Sequence, residues 1–146
     1  MNLNELRDKA YRNAVTHGFH DEELSNEHCL CLVISELMEA VKADRKGRFA
    51  KVPVDKKGTI FDERTFHYQN KYFAENFETY IKDCVEDELA DACIRLLDLA
   101  GLRNISIDDF SGEMIYEATE SCNNETFTES IYAISTIPIR CEYELS

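Results

Sequence analysis

The sequence predicts an all-α protein, a bundle of four to five helices with one long loop between the second and third. Three observations carry this. Apolar residues recur at three- and four-residue spacing along most of the chain. Helix caps and stops such as Ser25 and Gly18 bracket those segments. Only two prolines and five glycines interrupt 146 residues.

Leu3, Leu6, Ala10 and Ala14 share one helical face and Gly18 offers a stop, so the first helix is expected over 3–17. Ser25 caps a second helix running to about Asp44. Its nearly all-round apolar character predicts burial among other helices. From Arg45 to about Glu75 no period is sustained and Gly47, Pro53 and Gly58 intervene. That is a long loop, and long loops in compact domains often carry function. A third helix is expected from about Asn76 to Gly101, with Gly101 as its left-handed terminator. Ser106 and Asp109 resemble a capping box opening a fourth helix to about Cys122. After the Asn123-Asn124 turn, TFTESIYAISTIPIR is apolar and β-branched, and periodicity leaves helix and strand both open.

At this length the chain is expected to be one domain, 1–146, large enough to bury a core. With 29 acidic and 16 basic residues it carries a net charge of −13, which repels nucleic acid and anionic membrane alike. The N-terminus has no apolar signal region and no apolar run approaches about 20 residues, so a cytoplasmic protein with neither a nucleic-acid nor a membrane partner is expected. Six cysteines lack CxxC or regular spacing, as expected for reduced, buried thiols.

The chemistry sits in two short stretches. In VISELMEAV, each helical residue advances about 100°, so Glu39 lies about 60° from Glu36, within one sector shared with Cys29, Leu32, Val33, Ala40 and Ala43. In VEDELADACIRLLDLAG, Asp91 stands in the same relation to Glu88, among Ile81, Cys84, Val85, Ala92 and Leu99. Acidic residues at i, i+3 ordinarily belong to a solvated face. Here both pairs lie on apolar stripes, where uncompensated carboxylates would each cost several kcal/mol. A hard divalent cation with oxygen ligands relieves that cost.

Ser-Glu-Leu-Met-Glu-Ala followed by Asp-Glu-Leu-Ala-Asp-Ala resembles the ExxE and ExxD motifs of the all-α nucleoside triphosphate pyrophosphatases, the MazG-like group related to dimeric dUTPases. AVTHGFHDEE and CIRLLDLAG are similar to that group too, and the likeness covers roughly residues 10 to 110. The resemblance implies that Glu36, Glu39, Glu88 and Asp91 bind Mg²⁺. It also implies hydrolysis of a nucleoside triphosphate between its α and β phosphates, and a bundle completed as a homodimer or homotetramer. A carboxylate not saturated by metal, Glu39, is the expected general base.

Basic residues between Asp44 and Lys57 outnumber acidic ones six to two, which makes Lys46 and Arg48 candidates for phosphate contact although such loops are usually solvated. Arg95, one turn past Asp91, is expected either to contact a phosphate or to pair with Asp91. In HGFH, Phe19 could stack on a base, and the flanking histidines read as ordinary solvated loop residues. Tyr68, Tyr72, Phe73 and Phe77 read as packing residues where the loop re-enters the third helix.

Residues 110–146 diverge from the family pattern, with Arg140 as their one basic residue. That leaves a silent helical interaction module as the rival to the enzyme. A di-iron carboxylate bundle is excluded by the lack of any Glu-x-x-His pair.

Overall fold

The computed structural model of this chain describes residues 2–55, 58–59, 71–107 and 112–141. Among these described residues are six helices: α1 (Leu3–Thr16), α2 (Asn26–Arg45), α3 (Lys71–Tyr80), α4 (Val85–Leu102), α5 (Gly112–Cys122) and α6 (Phe127–Cys141). Between α2 and α3, β1 (Val54–Asp55) pairs antiparallel with β2 (Gly58–Thr59) in a two-residue ladder. Much of the long loop expected from Arg45 to Glu75, at 56–57 and 60–70, lies outside the described residues. Its last five residues are helical, because α3 begins at Lys71.

α4 is the centre of the arrangement, packed against α1 on one side and α2 on the other. Both neighbours run antiparallel to it. Arg7 Nη1 donates to Ile105 O near one end of α1, and Gly101 lies against Tyr11. Arg103 donates to Asn26 Oδ1 and Leu24 O at the start of α2, while Val85 N–H donates to Arg48 O at its end. α6 lies on α2, and the core joins Val33 and Leu37 of α2, Ala92 of α4 and Ile131 of α6, with Val41, Leu89, Phe127 and Ile134 packed around them. α5 touches only α6 among the helices, and none of its side chains is buried.

Three helices end by the same device. After α1, Gly18 takes φ +76° while Phe19 N–H reaches back to Ala14 O and Gly18 N–H to Val15 O. After α2, Gly47 takes φ +63° while Arg48 N–H returns to Ala43 O and Gly47 N–H to Asp44 O. After α4 the same pair of bonds runs from Ile105 to Ala100 and from Asn104 to Gly101, with Asn104 at φ 54°. These paired bonds satisfy the orphan carbonyls of the last turn, and the left-handed residue between them favours Gly or Asn. Each motif turns the next residue sharply, which is how Phe19 and Arg48 come to face α4.

Three expectations need correction. Gly101 is inside α4 and does not terminate it: a Cβ there would meet Tyr11 Cβ at 2.5 Å, so glycine is present for the close approach of α1. The third helix is two helices, broken at Ile81–Cys84 where Asp83 adopts φ 56°. Ser106 caps nothing described, since Asn4 donates to its hydroxyl and α5 begins only at Gly112; Asp109 lies outside the described residues.

The β-branched tail is helical. Phe127, Ile131 and Ile134 fall at i, i+4 and i+7 and pack on α2. Burying such side chains contributes about 1.5–3 kcal/mol each, against a few tenths lost to the low helix propensity of isoleucine. A reciprocal capping box opens α6: Glu129 N–H donates to Thr126 Oγ1, and Thr126 N–H to Glu129 Oε2.

The cysteines differ in burial. Cys29 and Cys84 are buried free thiols, whereas Cys31 and Cys93 are exposed. Among the described residues no helix is long and apolar enough to cross a membrane.

Candidate metal centre

α2 and α4 bring the acidic motifs together because both ends of each helix are fixed. Ser25 Oγ accepts from His28 N–H at the start of α2, and the Gly47 motif closes its end. α4 has no side-chain cap from Cys84. Its first turn uses carboxylates outward: Glu86 accepts from Ala50 N–H at 2.9 Å and Asp87 from Asp83 N–H at 2.9 Å. These bonds tie the chain after α2 and the chain before α4 to one helix end, whose dipole also favours anions.

One oxygen from each of Glu36, Glu88 and Asp91 lies within 4.8 Å of the other two. The group thus spans the α2–α4 seam directly above the apolar core. Burial, followed by the charges of Asp87, Glu36, Asp91 and Glu39, holds the Glu88 carboxyl above the ordinary range. Asp91 is raised by burial and then by Asp87 and Glu36, with Arg95 opposing. Three carboxylates without thiolate or imidazole are a hard donor set suited to Mg²⁺ or Mn²⁺. Oxygens bound to one Mg²⁺ at about 2.0–2.1 Å lie roughly 3–4 Å apart, so the three carboxylates would have to rotate closer together to share one ion.

Glu39, expected in the same group, stands apart from it. Its Oε2 accepts from Lys42 Nζ at 2.7 Å on the exposed flank of α2. It lines a small cavity of about 170 Å³ with Glu88, Lys42, Lys46, Arg48 and Asp83. Lys46 and Arg48 therefore do open onto the carboxylates; Arg48 also makes a long ion pair with Asp83, 3.6 Å. Arg95 pairs with Glu36, Nε to Oε1 3.2 Å, rather than with Asp91.

A second cavity, about 230 Å³, opens on the other side of Asp91, lined by Asn13, Phe19, Ile94, Arg95 and Asp98. The Arg95 guanidinium carbon is 5.8 Å from the centre of the Phe19 ring, which is 55% exposed. His20 is not solvated: its side chain is 9% exposed and Nε2 lies 2.7 Å from Asp98 Oδ1. The Tyr11 ring lies tilted beside it, centroids 5.4 Å apart at 36°, and Nδ1 is buried with no hydrogen-bond partner among the described residues. Of the packing aromatics, Phe73 and Phe77 stack with centroids 6.3 Å apart on α3, whereas Tyr68 and the Tyr72 side chain lie outside the described residues.

Sequence reasoning missed Lys42, Asp83, Asp87 and Asp98. Lys42 sits three residues past Glu39, a visible ion-pair spacing, and Asp98 one turn past Arg95's neighbour Ile94. Asp83 could be found only by recognising the helix break. No family model, curated protein or solved structure matches this chain.

Proposed function

We propose that this chain is a Mg²⁺-dependent nucleoside triphosphate pyrophosphohydrolase, releasing a nucleoside monophosphate and pyrophosphate. The convergence of Glu36, Glu88 and Asp91 across the α2–α4 seam carries the reading. The resemblance of both motifs to the all-α pyrophosphatases supports it. In the reaction the oxygen of water bonds to the α phosphorus, the bond to the α–β bridging oxygen breaks, and pyrophosphate leaves. Bound Mg²⁺ would neutralise the phosphates and acidify that water. Glu36, Glu88 and Asp91 would hold the ion. Glu39, outside that group but lining the cavity with Glu88, is suited to accept the water's proton. Lys46 and Arg48 supply positive charge to the same cavity, where a polyphosphate tail would be stabilised.

We also propose that the protein acts in the cytoplasm as a homodimer or homotetramer. The exposed apolar side chains Met114 and Ile115 of α5 and Ile137 of α6 line a groove of about 790 Å³, and such a face ordinarily marks an interface. The same face also favours the second reading, a catalytically silent interaction module.

Pyrophosphate release from a panel of nucleoside triphosphates, with and without Mg²⁺, decides between them. Metal-dependent release by the wild type, abolished in Glu36→Gln and Asp91→Asn, is the expected result. A folded protein that releases none from any nucleotide is the silent module. A monomeric mass in solution would overturn the oligomer.

A further inference from the structure

We propose that Arg95 is an internal counter-cation for Glu36 that a divalent ion displaces, leaving the guanidinium on the face of Phe19 that it already covers. The inference rests on the reading that Glu36 ligates a cation. Arg95 Nε donates to Glu36 Oε1 at 3.2 Å, linking α4 to α2 through an oxygen of the carboxylate group. Glu36 is the better shielded partner, with 17% of its side chain exposed against 34% for Arg95. The pair therefore answers a specific need, a counter-charge for a carboxylate packed against two others.

A divalent ion seated among Glu36, Glu88 and Asp91 changes that need. An ion seated there competes for the Glu36 oxygens that accept from Arg95, and its two positive charges oppose a guanidinium held by one charge-assisted hydrogen bond. Arginine cannot relieve the repulsion by losing a proton, so it must give up Glu36. The seat left to it is one it already holds: its guanidinium carbon stands over the Phe19 ring, 5.8 Å from the centre, beside a cavity of about 230 Å³ that both side chains line. A half-exposed aromatic face is a favourable seat for guanidinium. Asp98 lines the same cavity and meets His20 through Oδ1. Binding of the ion thus leaves the Arg95 charge to the Phe19 cleft alone, and the carboxylate group and the cleft respond together.

Hydrogen exchange at the Arg95 side chain, followed by ¹⁵N NMR on the full chain while Mg²⁺ alone is titrated, tests this. Heat of Mg²⁺ binding is measured in parallel. Exchange at Nε–H is expected to be slow without Mg²⁺ and to accelerate about tenfold or more at saturation. In Glu36→Gln it should be fast throughout. Arg95→Gln should bind Mg²⁺ roughly fivefold more tightly, as expected for removal of one competing partly exposed pair. Binding heat with unchanged Nε–H exchange would overturn the displacement while leaving the metal site standing. Absence of any binding heat in the folded protein would overturn both. Because the exchange measurement uses the wild type, a poorly folding variant does not blunt the test.

Discussion

Lys42 Nζ lies 2.7 Å from Glu39 Oε2, an i, i+3 pair with 58% and 46% of the two side chains exposed. The four acidic residues of the two motifs are thereby unequal: three converge, and the fourth stays outside with a lysine. An exposed pair of this kind contributes little to stability, about 0–1 kcal/mol. Its effect is on the position of Glu39.

Glu39→Gln should therefore separate proton transfer from metal binding. Pyrophosphate release is expected to fall by about 10²–10⁴-fold, the usual range for removing a general base. The Mg²⁺ dissociation constant, read by calorimetry, should stay within about threefold of wild type. A loss of Mg²⁺ affinity as large as that in Glu36→Gln would instead make Glu39 a ligand.

Glu88→Gln should stabilise the protein without metal, since it removes a partly shielded charge crowded by Asp87, Glu36 and Asp91. A rise in the unfolding midpoint of about 2–4 °C corresponds to roughly 1 kcal/mol for a domain of this size. Added Mg²⁺ should raise the midpoint of the wild type but not of the variant. A variant less stable than wild type in chelator would refute this account of the crowding.

The pH dependence follows from the raised carboxyls of Glu88 and Asp91, burial being the first cause of each. Between the ordinary carboxylate range and the raised values, the folded chain holds more protons than the unfolded one. Metal-free stability from these groups is thus full below that window and falls as pH rises through it. Mg²⁺ must displace the same protons, so its affinity should climb with pH over the window and level off above. Unfolding midpoints with and without Mg²⁺ should diverge as pH rises; a constant gap would show that the two groups do not bind the ion.

Gly101→Ala should cost about 1–3 kcal/mol, the usual penalty for overpacking, because Tyr11 Cβ stands 2.5 Å from the added methyl. Urea unfolding checks this directly. An unchanged midpoint would mean that α1 rides on α4 more loosely than described.

Much of this was readable in the residues. The Ser25 cap, the α2 stripe through Cys29, Val33 and Ala40, and the stop at Gly18 are local signals, and local signals survive folding. The carboxylate group was legible as two faces, yet angular position on a helix wheel did not separate Glu36 from Glu39. Which edge of the α2 face turns to α4 is set by packing at Leu37 and Ala92, between residues distant in sequence. The break before α4 was hidden because Ile81-Lys82-Asp83-Cys84 contains no glycine or proline, and aspartate tolerates the left-handed conformation better than most residues. The helical tail was hidden for a related reason: its composition favours strand, and only the seat on α2 decides for helix.

α1 has its partners about a hundred residues further along the chain. It packs on α4 and not on α2, its neighbour in sequence, and Asn4 and Arg7 are tied to Ser106, Ile107 and Ile105. About a hundred residues must be drawn into a closed loop before those bonds can form, an entropic toll that local pairs such as α5 with α6 escape. α1 thus cannot dock until α4 exists to receive it, however early its own turns form. Until it docks, the cleft beside Phe19, which α1 and α4 line together, is not built.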